Sequence, residues 1–142
     1  MKRDYFSWHT HRLPCPARVV RWGHWGTPVL IFPTAGGDCE EPERQGLIGA
    51  VSGLIEAGRI KVYAVDSVPG QHWTSRQHSP EYCSRVQNLF DAYVYEEVVP
   101  LIRSDCATHD IEVVTAGASY GALFAVASLC RHPDAFRLAL GM

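Results

Sequence analysis

The period of the hydrophobic positions changes along the chain, and each change marks an element. Residues 5–11 and 17–22 are two short runs rich in aromatic and β-branched residues, joined by Leu13-Pro14-Cys15-Pro16. That pattern predicts two strands around a proline-marked turn. His9 and His11, two apart on the first of them, would share a face. Thr27 to Pro33 is a continuous apolar run with proline near each end, which suits a central strand buried on both faces of a parallel sheet. A glycine-rich stretch, Thr34-Ala35-Gly36-Gly37-Asp38, leads into Leu47, Ile48, Val51, Leu54 and Ile55 at helical spacing, predicting a helix to about Ala57. Asp38 with Glu41 has the spacing of a capping box, and Gly58 suits the helix end. Gly46, Gly49 and Gly53 are costly inside a helix and are read as points of close packing on a sheet.

Ile60 to Asp66 is the next strand, and 67–79 reads as a polar loop carrying Pro69-Gly70, His72, Trp73 and His78. Ser79-Pro80-Glu81 combines an N-cap serine, proline at the first helical position and an acid in the first turn. The helix it opens should bury Tyr82, Val86, Phe90, Tyr93 and Val94, with Pro100 kinking or breaking it near its end. Ile111 to Ala116 is another buried strand. It runs into Gly117-Ala118-Ser119-Tyr120-Gly121, then into a small apolar helix to about Cys130 that Arg131-His132-Pro133 stops. Residues 137–142 begin a last strand. Strands alternating with helices from residue 28 onward predict an α/β fold with a mostly parallel sheet, flanking helices and the N-terminal hairpin at one edge.

Composition narrows the function classes. The chain has 142 residues, 46% hydrophobic and 20% charged, which are globular proportions and the length of one domain. A net charge of -2 without a basic cluster larger than Lys2-Arg3 argues against a nucleic-acid partner. No apolar run approaches the length of a membrane span, so no membrane partner is expected. The N-terminus lacks the apolar core of a signal peptide, which makes a reduced, cytoplasmic chain the expectation. Cys15, Cys39, Cys83, Cys106 and Cys130 include no CxxC pair, which removes zinc-ribbon and thioredoxin-like readings. Cys83 and Cys130 fall in apolar helical patterns and read as core residues. The His9/His11 pair has no third ligand nearby in sequence, so neither metal nor cofactor is expected.

Gly117-Ala118-Ser119-Tyr120-Gly121 matches G-x-S-x-G and sits where a strand ends and a helix begins. In that setting the serine occupies a sharp, strained turn that lifts its hydroxyl above the sheet. A Cβ two residues away on either side would strike the neighbouring strand or helix, which explains Gly117 and Gly121. The helix that follows aims free amides and its positive end at the site. The loop from Pro33 to Asp38 leaves an earlier buried strand and is suited to supply a second oxyanion amide. Ser119 is therefore the candidate nucleophile, and the backbone N–H groups of Tyr120 and Ala35 are the candidate oxyanion donors. Thr34, Gly36, His72, Trp73 and His78 are candidates to line the pocket.

With these motifs the chain resembles the N-terminal part of an α/β-hydrolase, within the Putative esterase family that includes esterase D-like enzymes. The Gly-Ala-Ser-Tyr-Gly elbow carries the likeness, as does Arg131-His132-Pro133-Asp134-Ala135-Phe136, where that family has a His/Tyr-Pro-Asp-x-Phe stretch before the next strand. Relatives often have His-Gly entering the oxyanion loop; this chain has Pro33-Thr34. The resemblance implies a serine ester hydrolase that forms an acyl-enzyme on a small-molecule ester. Acyl transfer on the same intermediate is the alternative, and a non-catalytic binding chain of the same fold is another.

A serine hydrolase also needs a histidine base and a carboxylate to orient it. In this superfamily they follow the serine in the order acid, then His. After Ser119 the chain offers only His132 and Asp134, in the reverse order and at the N-terminal edge of the sheet, whereas ligands bind at the C-terminal edge. His109 fails for the same reason. A base role for His72 or His78 would need an unconventional triad, and Asp66 suits a loop anchor better than an orienting acid. The resemblance thus implies that residues 1–142 are the N-terminal part of one longer α/β-hydrolase domain, with the acid and His beyond Met142. The last strand would then leave an apolar sheet edge, through which a homo-oligomer is the expected assembly.

Overall fold

The computed structural model describes residues 1–142. Strands β1 (Arg3–Trp8), β2 (Ala17–Trp22), β3 (Thr27–Phe32), β4 (Ile60–Val65), β5 (Val113–Gly117) and β6 (Phe136–Gly141) form one sheet in the order β1-β2-β4-β3-β5-β6. The four strands from β4 to β6 run parallel, and the β1-β2 hairpin adds antiparallel to β4 at one edge. This is the predicted α/β architecture, with β3 central.

Alternation along the strands loads both faces of the sheet. Leu30 and Phe32 of β3 and Tyr63 and Val65 of β4 face a core that includes Phe90, Tyr93, Ile102 and Phe124. Ile31, Val62, Ala64 and Ala116 face the other way, onto Ile48 and Ile55. Because both faces are covered, the strands read as unbroken apolar runs. Phe32, Phe90 and Phe124 meet with ring centroids 5.2–6.3 Å apart and tie the central strand to two helices.

Several local expectations change in the folded chain. The first strand ends at Trp8, so His9 and His11 lie outside it and share no strand face. Trp8, Thr10 and Arg12 all bond the carboxylate of Glu97, which draws this segment off the sheet. The expected single helix before Ala57 is three short ones, α1 (Glu41–Arg44), α2 (Leu47–Ala50) and α3 (Ser52–Glu56). Gly46 breaks the run at φ +80°, and a Cβ on Gly46, Gly49 or Gly53 would meet nothing within 4 Å. Gly46 therefore marks a break, and none of the three is a point of close packing. The capping box is absent too, because Glu41 turns back to Thr34 and Asp38 bonds the Glu40 N–H. Gly58 does close α3, at φ +67°.

The segment read as a polar loop contains helix α4 (Val68–Ser75), whose first residues are buried. Helix α5 (Pro80–Tyr93) begins as expected, with Ser79 Oγ accepting the Tyr82 N–H at 3.2 Å. Tyr82 itself is only half-buried. Pro100 does not break the helix. The chain passes through one wide π turn, Val94–Val98, and continues as α6 (Val99–Asp105). The wider turn accommodates a residue that lacks an N–H and crowds the preceding turn. Helix α7 (Tyr120–Arg131) keeps Cys130 exposed, unlike buried Cys83. The outer face of α7 is itself apolar, with Leu123 and Val126 exposed, so apolar composition does not reveal which side faces inward. β6 forms the sheet edge and exposes Leu138 and Leu140. No helix is long and apolar enough to cross a membrane.

At the N-terminal end of the parallel strands, two buried cations meet one carboxylate. Asp105, the last residue of α6, accepts from Arg21 Nη1 at 2.6 Å and Tyr63 Oη at 2.6 Å, and pairs with Lys61 Nζ at 2.8 Å. Arg21 also pairs with Asp4. Burial pushes the Asp105 carboxyl up, but the bonds from Lys61, Tyr63 and Arg21 outweigh it and hold the group below its usual range. The ionised carboxylate is thus favoured in the folded state. Its stabilisation is complete above the unfolded value, about pH 4, and is lost as pH falls through the lower folded value. Asp105→Asn should cost about 3–5 kcal/mol at pH 7, because it leaves two buried cations without their shared anion. In urea unfolding, the gap between wild type and variant should narrow below about pH 4; a gap independent of acid would contradict this account.

Candidate active site

The parallel register brings Phe32, Gly117 and Gly141 side by side at the C-terminal ends of β3, β5 and β6. Immediately beyond Gly117 the chain reverses into α7. Ser119 sits at the turn with φ +56° and ψ -120°, a left-handed conformation unfavourable for a residue with a Cβ. Its side chain is exposed above the sheet edge. Its N–H bonds the Met142 carbonyl at 3.0 Å, and the Met142 N–H returns to the Gly117 carbonyl at 3.0 Å.

The two flanking glycines hold this geometry by leaving space. A Cβ on Gly121 would lie 2.1 Å from the Phe32 carbonyl oxygen. One on Gly117 would lie 2.3 Å from the carbonyl of Gly121. The first turn of α7 therefore presses on the end of β3, next to the loop that leaves it. Tyr120 opens α7, so its N–H precedes the helix's own hydrogen-bond ladder. The Ala35 N–H in the facing loop makes no hydrogen bond within the chain.

That loop is held by three groups: Asp66, already read from sequence as a loop anchor, and Glu41 and Gly70, whose roles were not apparent there. Glu41 accepts from the Thr34 N–H at 2.8 Å and from Thr34 Oγ1 at 2.6 Å. Asp66, at the end of β4, accepts from the Cys39 N–H at 2.9 Å and pairs with both ends of the Arg18 guanidinium at 2.8 and 2.9 Å. Asp66 is thus a loop anchor and orients no histidine. Gly70 in α4 lies against Ala35, where an added Cβ would come within 2.4 Å of the Ala35 carbonyl oxygen. A strand-terminal acid, a Pro-Gly pair and an acid seven residues from its partner are visible in sequence, but not the contacts they make. Burial pushes the Cys39 thiol behind this loop up to about 12, so it is not a competing nucleophile.

The pocket candidates separate into two groups. Thr34 lines a cleft of about 480 Å³ beside the elbow, with Glu41, Pro42, Leu47, Ala118 and Met142. Gly36 is exposed on the loop. His72 and Trp73 belong to α4 and His78 follows it; none lines that cleft. His72 Nδ1 lies 2.8 Å from the Val68 carbonyl, which can only accept. Nδ1 is therefore the donor in this contact. The rings of His72, His78 and Tyr82 cluster with centroids 4.8–5.7 Å apart. Neither histidine bonds Ser119. His132 bonds Asp91 at 3.0 Å and stacks on Tyr95, while Asp134 is held by the Tyr95 hydroxyl. They lie at the far end of the 12-residue α7, about 18 Å along the helix from the elbow. No group of three or more His, Cys, Asp or Glu side chains is placed to hold a metal ion.

The chain belongs to the Putative esterase family, whose model matches residues 42–142. The fold is that of α/β-hydrolase-like esterases of known structure. An S-formylglutathione hydrolase from Agrobacterium tumefaciens superposes with a TM-score of 0.72 at 14% identity, over 98% of this chain and 56% of its own. A ferric enterobactin esterase from Salmonella typhimurium gives 0.70 at 20% identity, over 100% of this chain and 36% of its own. An enterochelin esterase from Shigella flexneri gives 0.68 at 16% identity, over 99% and 36%. The chain thus spans between about a third and just over half of these structures. No curated protein sequence gives a significant match.

The elbow geometry carries a stability prediction. Gly121→Ala forces a methyl group into the Phe32 carbonyl and should cost at least about 1–3 kcal/mol in urea unfolding. The same change at Gly49, which faces open space, should be neutral or stabilising. Equal effects at the two positions would sink the close-approach account.

Proposed function

We propose that the chain carries the nucleophile and oxyanion hole of a serine carboxylic-ester hydrolase. The observation that supports this best is the left-handed backbone of Ser119 at the strand–helix junction, held open by two glycines that no other residue could replace without collision. Strain of this kind persists only where the surrounding structure over-determines it, and it exposes the hydroxyl to a substrate.

In this reading Ser119 Oγ attacks the ester carbonyl carbon while its proton passes to a base. The carbonyl oxygen takes the negative charge and is met by the Tyr120 and Ala35 N–H groups. Such donors are worth about 3–4 kcal/mol each in related chemistry. The C–O bond to the alcohol then breaks, the alcohol leaves with the proton from the base, and an acyl-enzyme remains. Water attacks next, gives up its proton to the base, and the acid departs as Ser119 Oγ is reprotonated. No metal or cofactor enters these steps. The histidines of residues 1–142 make no bond to Ser119, so the reading includes a base and its orienting carboxylate supplied from outside them. Residues 1–142 alone should therefore react slower by roughly three or more orders of magnitude.

A fluorophosphonate probe tests this directly. In the full-length protein it should add to one residue, mapped by peptide mass spectrometry to Ser119, and the adduct should vanish in Ser119→Ala. Absence of labelling in the full-length protein would falsify the hydrolase reading. With an ester substrate and added alcohol, acid as the main product supports hydrolysis; a new ester as the main product would replace it with acyl transfer.

A further inference from the structure

Helix α4 follows β4 at the sheet edge that carries Ser119, and its first turn touches the oxyanion loop through Gly70 and Ala35. One turn further along, Trp73 donates its indole N–H to Gln87 Oε1 at 3.1 Å. The same oxygen accepts the Tyr120 hydroxyl at 3.3 Å. Gln87 of α5 thus joins an aromatic ring on the wall helix to the ring of the residue directly after Ser119. Neither the elbow motif nor the core needs this bridge. Trp73 is 39% exposed and Tyr120 is half-buried, its ring resting on Phe124 at 5.2 Å. Both rings are fixed at their polar ends and keep apolar surface free. The cluster of His72, His78 and Tyr82 continues this aromatic surface along α4 and α5.

We propose that Trp73 and Tyr120, held together by Gln87, form a subsite beside Ser119 for an uncharged aromatic group of the ester substrate. Ring faces held at their edges suit offset or edge-to-face contact with a third ring, an attraction beyond what buried area supplies and absent for an aliphatic chain. None of the three side chains carries a fixed charge, so the subsite selects by shape and ring chemistry. Gln87 is a positioning residue here: it touches no substrate and acts through the two rings. The proximity to the reacting bond rests on the nucleophile reading for Ser119; the ring preference does not.

Binding without turnover separates the two. In full-length Ser119→Ala protein, methyl 4-hydroxybenzoate and methyl hexanoate are titrated in parallel by NMR or calorimetry. The aromatic ester should bind about tenfold more tightly. Trp73→Ala should remove the preference, Trp73→Phe should keep most of it, and Gln87→Ala should weaken it. Circular dichroism should show all three variants folded, as expected for an exposed ring and its tether. Equal affinity for the two esters, or a preference that survives Trp73→Ala, would overturn the subsite. A ring preference in a protein that fluorophosphonate does not label would uphold the subsite while removing the hydrolase reading. Labelling without any preference would do the reverse.

Discussion

The site depends on one steric constraint, the contact between the first turn of α7 and the end of β3. With Gly121 against the Phe32 carbonyl and Gly117 against Gly121, α7 comes closer to the sheet than any side chain would permit. That approach drives Ser119 into a left-handed backbone and sets the Tyr120 amide beside the loop that leaves β3. The contact persists because larger forces oppose its release. Phe124 of α7 packs on Phe32 and Phe90, so lifting the helix would open the centre of the core. Strain in a few backbone angles is small beside that apolar burial.

The facing loop is held differently. Its glycine-rich sequence has little intrinsic order, so neighbouring polar groups fix it. Glu41 holds Thr34 from one side, and Asp66, itself clamped by Arg18, holds Cys39 from another. Gly70 lets α4 close against Ala35. The Asp66 carboxylate is buried, and there a charge-assisted bond is stronger and more directional than on the surface. The Ala35 amide is thereby held in place without a hydrogen-bond partner in the chain. At the opposite end of the sheet, Asp105 gathers Arg21, Lys61 and Tyr63 and anchors α6, so the two ends are built from opposite needs. One leaves donors free, and the other satisfies nearly every charge.

The fold class and the elbow were legible along the chain because each rests on local chemistry. Apolar runs between turn residues identified the central strands. Ser79-Pro80-Glu81 identified the start of α5, since a cap is decided within four residues. The spacing of glycines around Ser119 was sufficient because a strand–turn–helix corner excludes Cβ atoms wherever it occurs. Where local signals were ambiguous, reading failed for identifiable reasons. The polar composition of residues 67–79 concealed α4, because the buried surface of that helix is short and its outer face polar. Gly46 resembled a packing glycine but serves a left-handed break. Cys130 lies in an apolar pattern that covers both sides of α7, so periodicity could not assign it to the core.

The sequence alone was enough for the class of fold, the order of the strands and the identity of the exposed serine, since all three follow from neighbours a few residues apart. Only tertiary structure decided what surrounds that serine. Glu41 turned from a helix cap to a loop clamp, the anchor Asp66 found its partners Arg18 and Cys39, and Gln87, which carries no motif, came to join Trp73 to Tyr120. Each of these contacts spans different elements, and its energy depends on distances that exist only once the sheet has set them. Tertiary structure also paired His132 with Asp91, at the sheet edge where element order already put that histidine, and left His72 and His78 unbonded to Ser119, because the packing of helices, not residue type, determines which groups meet.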